Sequence, residues 1–223
     1  MSPEAWARLN KKKIAREFIR KIEHETSTSP AAIFTAGLPG AGKTEFTKEL
    51  LKDITDKALR IDMDEIACLI EGYSPKTADL FRTGASIVLD KIYDEVLKAK
   101  LDFVMDGTLS HAKVIENINR ALEKGYAVKV YFIHQEPEIA WHFTKDREVV
   151  EHRSIDRIGF MQTYRRIYDN IEKLQKQNKS VTISVILKDE NNRVGKQFED
   201  VDDIYEVVPK PLADKQLSRV ILD

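Results

Sequence analysis

Cysteine is almost absent from this chain: Cys68 is the only one among 223 residues. A lone thiol excludes an internal disulfide and fits a reducing compartment. In its apolar surroundings it reads as a small packed residue rather than a nucleophile. No apolar run reaches the roughly 18 residues that a membrane-spanning helix needs. Lys11-Lys12-Lys13 is not followed by the apolar core of a secretory signal, so none is expected. An excess of one charge is missing too. Lys+Arg 36 against Asp+Glu 37 gives a net charge of -1, which offers no bulk basic field for nucleic acid, although a local patch can hide in the balance. No repeat, low-complexity tract or second compositional zone breaks the chain. One domain over residues 1–223 is expected, soluble and cytoplasmic, with no membrane role.

Against these absences stands one dense signal. Ile33-Phe34-Thr35-Ala36 is a short apolar run, and Gly37-Leu38-Pro39-Gly40-Ala41-Gly42-Lys43-Thr44 follows it and opens a helical pattern. The spacing G-x-x-x-x-G-K-T is the phosphate-binding P-loop signature. Glycines let successive backbone N–H groups converge on a polyanion where a side chain would block the approach. The helix starting there, from Glu45 onward, adds its free N–H groups and positive end. Lys43 is expected to reach the β/γ-phosphates of ATP, and the Thr44 hydroxyl to ligate Mg²⁺.

The rest of the chain supplies an alternation of strands and helices. Pro3 to Glu25, with Ala5, Leu9, Ile14, Phe18 and Ile22 apolar, reads as an amphipathic helix packed on the core. It could instead lie across the nucleotide site as a built-in inhibitor. Strands are expected at 58–62, 101–106, 127–133 and 181–187 besides the one before the P-loop. Helices are expected at 45–53, 78–98, 114–124, 137–150 and 160–177. Asp189 to Asn192 reads as a turn, 200–203 as a solvated acidic run, and the residues from Pro209 as a short closing helix. The extension 188–223 carries no chemistry on this reading. The fold class expected is α/β, a three-layer P-loop sandwich around a five-stranded, mainly parallel sheet. Such sheets bind ligands beyond the carboxyl ends of their strands. The P-loop, Asp62/Asp64 and Asp106-Gly107-Thr108 all follow strands, so three polar clusters converge on one edge.

The residue types suggest roles. Asp64 is the candidate general base for an acceptor hydroxyl; Asp62 could serve instead or bind the metal, and both could be solvating strand-end acids. Asp106 stands where a water-bridged Mg²⁺ carboxylate belongs, or is a local turn acid. Asp90 is either an exposed helix acid or faces substrate. Arg147, Arg153 and Arg157 form a basic series suited to charge developing on a transferred phosphoryl group, the alternative being a solvated helix face. His142 and His152 read as surface or packing residues, and Trp141, Tyr164 and Tyr168 as core or pocket wall.

Taken together, the P-loop Gly37–Thr44, the segment Ile61-Asp62-Met63-Asp64, Asp106-Gly107-Thr108 and the pair Arg147/Arg157 resemble the zeta toxin family of P-loop kinases over roughly Ala31 to Leu174. The resemblance implies an ATP- and Mg²⁺-dependent phosphotransferase acting on a hydroxyl of a small metabolite, with UDP-N-acetylglucosamine the acceptor of the best-known members. It also implies a toxin held silent by an antitoxin protein. It makes Asp64 the catalytic base, Lys43 and Thr44 the nucleotide and metal residues, and Arg147 and Arg157 the phosphate-stabilising arginines. Asp90 then falls at a substrate-binding position, and Asp62 and Thr108 are expected to bind substrate as well. Two departures bear on this: the family's Glu-Gly-Thr is Asp-Gly-Thr here, and Asp90 replaces a glutamate. The latter leaves the acceptor more open than the phosphoryl chemistry. Alternatives are a kinase for another small molecule or a nucleic-acid end, and a nucleotide-binding switch without efficient transfer.

Overall fold

A computed structural model describes residues 1–20, 27–53, 58–151 and 155–222. The expected helix ends at Ile22 and Glu25, together with His152 and Arg153, therefore lie outside the described residues.

Helix α1 (Pro3–Ile19) starts at Ser2, whose hydroxyl accepts the Ala5 N–H at 3.2 Å, with Pro3 at the first helical position. It buries Ala7, Ile14, Ala15 and Phe18. This corrects the expected apolar face: Leu9 is 73% exposed, and two small alanines take its place. Small residues let the helix lie close along α4 (Ala78–Ala99), where the Pro3 carbonyl comes within 3.0 Å of the place a side chain on Gly84 would begin.

The sheet contains β1 (Ala31–Ala36), β2 (Leu59–Asp62), β3 (Phe103–Asp106), β4 (Ala127–His134), β5 (Val181–Lys188) and β6 (Val194–Phe198). Their order is β2-β3-β1-β4-β5-β6, parallel up to β5, with β6 antiparallel to it. Val130, Tyr131, Phe132 and Ile133 of β4 are buried in succession, which requires cover on both faces. That cover comes from α2 (Lys43–Asp53), α5 (Lys113–Glu123) and α7 (Arg157–Gln177), besides α4, while α6 (Pro137–Glu151) packs beside them on α8 (Asp214–Val220). The sheet has six strands, not five. β6 escaped the sequence reading because it is a polar edge strand with four exposed residues and no buried face to create alternation.

Two further corrections concern the site end of the sheet. Only Asp62 of the acidic pair is a strand end: β2 stops there as expected, and a short helix, α3 (Met63–Ala67), follows at once and carries Asp64. Cys68, just after it, is exposed rather than packed. At the far end, α8 (Asp214–Val220) is the expected closing helix. Leu217 and Ile221 are fully buried, and the Trp141 indole N–H reaches the Leu222 carbonyl at 2.7 Å. The extension is thus part of the packed core.

Candidate active site

The P-loop turns out of β1 and into α2 under constraints that only glycine meets. Gly40 has φ +79 and Gly42 φ +74, in the left-handed region. A side chain on Gly40 would collide with the Ala140 carbonyl and come within 2.7 Å of the Thr144 hydroxyl, both on α6. One on Gly37 would meet the Ile133 carbonyl at 2.5 Å. The loop is therefore clasped between the end of β4 and α6. The turn between β5 and β6 closes its other side, where the Asn192 side-chain N–H donates to the Gly40 carbonyl at 3.1 Å. Gln135 fixes that turn in its own place by donating to the Asp189 carbonyl at 2.8 Å.

Within the loop, the Leu38 carbonyl accepts the Ala41 N–H at 3.1 Å and the Lys43 ammonium at 2.7 Å. Lys43 is so crowded that burial lowers its pKa to about 8; Asp106, Glu45 and Asp62 pull the value upward, and Arg147 pushes it further down. Arg147, on α6, is thus close enough for its charge to be felt at that ammonium. Thr44 follows in the first turn of α2, partly buried, and Glu45 beside it is exposed.

Asp106 ends β3 nearly buried, with its side chain 4% exposed. Its Oδ1 accepts from the Thr35 hydroxyl at 3.2 Å; its Oδ2 accepts from Arg60 Nη2 at 2.6 Å and Nε at 3.1 Å. The register brings Asp62 opposite Asp106, so both acids stand at the same level of the sheet. Asp62 Oδ1 caps α3 by accepting the Asp64 N–H at 2.7 Å, and its Oδ2 takes Arg60 at 2.6 Å. Burial raises the Asp62 pKa, while the cap bond and Arg60 oppose the rise. Asp64 stands one residue into α3, at the helix end whose free N–H groups favour a carboxylate.

The Thr108 carbonyl accepts the Gly37 N–H at 3.3 Å, and its hydroxyl pairs with that of Ser110 at 2.7 Å. Next to it, Leu109 adopts φ +62, held there by the buried Asn170 amide, which donates to the Leu109 carbonyl at 2.7 Å.

The structure thus brings Lys43, Thr44, Asp62, Asp64, Asp106, Thr108 and Arg147 to one edge. Arg157 and Asp90 are engaged elsewhere. Arg157, at the start of α7, donates to the Ser218 carbonyl of α8. Asp90, midway along α4, pairs with Lys113 at 2.8 Å. Sequence reasoning passed over Thr35, Arg60, Asn170 and Asn192. Arg60 carried a usable signal as the one charge amid Leu59 and Ile61, two residues before an acid.

A glycine-rich loop between the first strand and its helix, at the carboxyl edge of a parallel sheet, defines a P-loop nucleotide-binding protein. The chain belongs to the zeta toxin family, which it matches over residues 15–198. An uncharacterized protein of Haemophilus influenzae is 31% identical over 104 residues, 46% of this chain and 69% of that one. The fold is similar to a chain of the PezAT chromosomal toxin–antitoxin system of Streptococcus pneumoniae, with a TM-score of 0.72 and 16% identity, covering 98% of this chain and 92% of that chain. It is similar also to the AvrRxo1-ORF1:-ORF2 complex crystallised with ATP, with a TM-score of 0.58 and 15% identity over 87% of this chain and 63% of that one.

Proposed function

We propose that the protein transfers the γ-phosphoryl group of ATP to a hydroxyl of a small metabolite, with Asp64 as the base. The observation that carries this reading is the Lys43–Leu38 bond within a loop whose Gly37 and Gly40 leave no room for side chains. The ammonium folds back onto its own loop, a bond that phosphate oxygens would replace. The donor set suits magnesium, since the Thr44 hydroxyl and the Asp106 carboxylate are hard oxygen ligands. When bound, that ion would neutralise charge on the triphosphate during transfer.

The residues divide the work. Lys43 and the loop amides hold the β- and γ-phosphates, and Arg147 adds a planar cation on the α6 side. Asp64 takes the hydroxyl proton while the acceptor oxygen bonds to phosphorus and the bond from phosphorus to the ADP oxygen breaks. Asp62 gives one oxygen to the cap of α3 and the other to Arg60, which makes it an acid that holds the start of that helix. Thr108 would face the acceptor; Asp90 would join it only by leaving Lys113, and Arg157 would reach the phosphates only by leaving the Ser218 carbonyl.

A UDP-N-acetyl sugar is the first acceptor to try, on the strength of the family. An antitoxin is the expected partner, since the pneumococcal relative is described as part of a toxin–antitoxin system. The deciding assay measures ADP release with MgATP against nucleotide sugars and nucleosides. Acceptor-stimulated release that Asp64→Asn abolishes supports transfer. Tight ATP binding without turnover on any acceptor points to a nucleotide switch instead.

A further inference from the structure

Arg60 takes no part in the reaction outlined above, yet the acids of the site are tied to it. Its side chain is 13% exposed. One nitrogen, Nη2, donates to Asp62 Oδ2 and Asp106 Oδ2, each at 2.6 Å, while Nη1 donates to Glu65 on α3. The strands dictate this meeting. Asp62 and Asp106 are in register, and Arg60 lies two residues before Asp62 on the same face of β2. Three carboxylates, those of Asp106, Asp62 and Glu65, therefore surround one guanidinium.

Two carboxylate oxygens aimed at one nitrogen from 2.6 Å enclose a place of cationic character. Magnesium binds oxygen at about 2.1 Å, so an inward shift of roughly half an ångström by each acid would fit a divalent ion there. Such a pair without its arginine is a metal site in waiting. Among the described residues, no three His, Cys, Asp or Glu side chains are grouped to hold a metal as the protein stands.

We propose that Arg60 is a positioning residue that acts as a resident cation: its Nη2 fills the place between Asp62 and Asp106 that a divalent ion would take. The free protein then binds no metal at these acids, and metal enters the site only with the nucleotide's phosphates. The last clause rests on the phosphotransferase reading; the first does not. A guanidinium held by the chain cannot leave with product, so Asp62 keeps capping α3 and Asp106 keeps its orientation through each cycle.

The test is a titration of nucleotide-free protein with Mn²⁺, followed by the paramagnetic resonance signal of the free ion. Wild type and Arg60→Lys are expected to show no saturable site below about 1 mM, the range of weak carboxylate sites. Arg60→Met is expected to gain one site at least about tenfold tighter, a change of the size seen when groups around a metal site are altered. Adding Asp106→Asn to Arg60→Met should remove it. Tight Mn²⁺ binding by the wild type overturns the proposal whatever the variants do, and so does a folded Arg60→Met protein that gains no site. Should Arg60→Met not fold, Arg60→Gln, which keeps one hydrogen bond to the acids without the charge, takes its place with the same expected gain. MgATP affinity of the wild type, measured separately, tests the phosphotransferase reading; its absence would leave the Mn²⁺ result standing.

Discussion

Lys43 donates to the carbonyl of Leu38, five residues before it in its own loop, at 2.7 Å, and shares its surroundings with Arg147. This places a lysine with a pKa near 8 where a polyanion binds, and the consequence is a pH-dependent affinity. Phosphate favours the charged form, so the free protein binds nucleotide fully below pH 8 and loses affinity as pH rises through that value. Calorimetric titration with MgATP from about pH 6.5 to 9.5 should show the dissociation constant rising on the alkaline side, by up to about tenfold for each pH unit. Lys43→Met should abolish the dependence along with most of the affinity. Arg147→Ala removes a cation that pushes the lysine down, so the inflection should move to higher pH. An inflection that stays in place would mean that Arg147 does not face the ammonium in solution. The sign for folding is opposite to that for binding. The unfolded lysine, with its pKa of 10.5, holds its proton longer, so this group adds stability as pH climbs from about 8 toward 10.5.

Gly40→Ala should be costly for a reason unrelated to phosphate. The added methyl would meet the Ala140 carbonyl and the Thr144 side chain, and the backbone there has φ +79. Strain and overpacking together predict a loss of about 2–4 kcal/mol in chemical denaturation. Gly125→Ala serves as a control: it has φ +82 but nothing within 4 Å, so only the conformational penalty of about 1 kcal/mol should appear. Equal losses at the two positions would rule out the close contact with α6.

These glycines also mark how far the sequence could be read. Gly37-x-x-x-x-Gly42-Lys43-Thr44 is a local pattern whose spacing is set by local geometry, so the loop, its strand and its helix were legible. Asp106 and Asp62 were legible as acids after strands, but not as two ends of one clamp. Their meeting depends on the β2–β3 register, and Arg60 belongs to it through pairing across the sheet rather than proximity along the chain. β6 was illegible for a different reason. With its side chains mostly in water, it carries no hydrophobic period, and it is held by backbone bonds to β5. Leu9 misled because leucine on an amphipathic helix normally marks the core face, while here two alanines buy the closeness of α1 to α4.

Asn170 holds the turn that carries Thr108. Its amide, on α7, donates to the carbonyl of Leu109, and it is 6% exposed. Asn170→Ala would leave that carbonyl buried without a donor and release a leucine from a left-handed conformation. A loss of about 1–3 kcal/mol in unfolding free energy is expected. The more specific readout is amide hydrogen exchange over residues 107–110, which should accelerate more than exchange in β4. If the two regions accelerate alike, the side chain supports the fold in general and not this turn.

The last prediction concerns the end of the chain. Leu217 is fully buried, the Trp141 indole N–H is bound to the Leu222 carbonyl at 2.7 Å, and Arg157 donates to Ser218. Helix α8 therefore reaches both α6, which carries Arg147, and the start of α7. Leu217→Ala should cost about 2–5 kcal/mol, the range for emptying a leucine site in a packed core. Because α6 also flanks Gly40, this loosening should weaken MgATP binding as well. Leu222→Ala keeps the backbone carbonyl that Trp141 uses and removes only a side chain that is 65% exposed, so both stability and affinity should stay near wild type. If Leu217→Ala lowers stability yet leaves the affinity for MgATP unchanged at a temperature where it is folded, α6 holds its place without α8. The closing helix would then be a structural cap, separate from the nucleotide site.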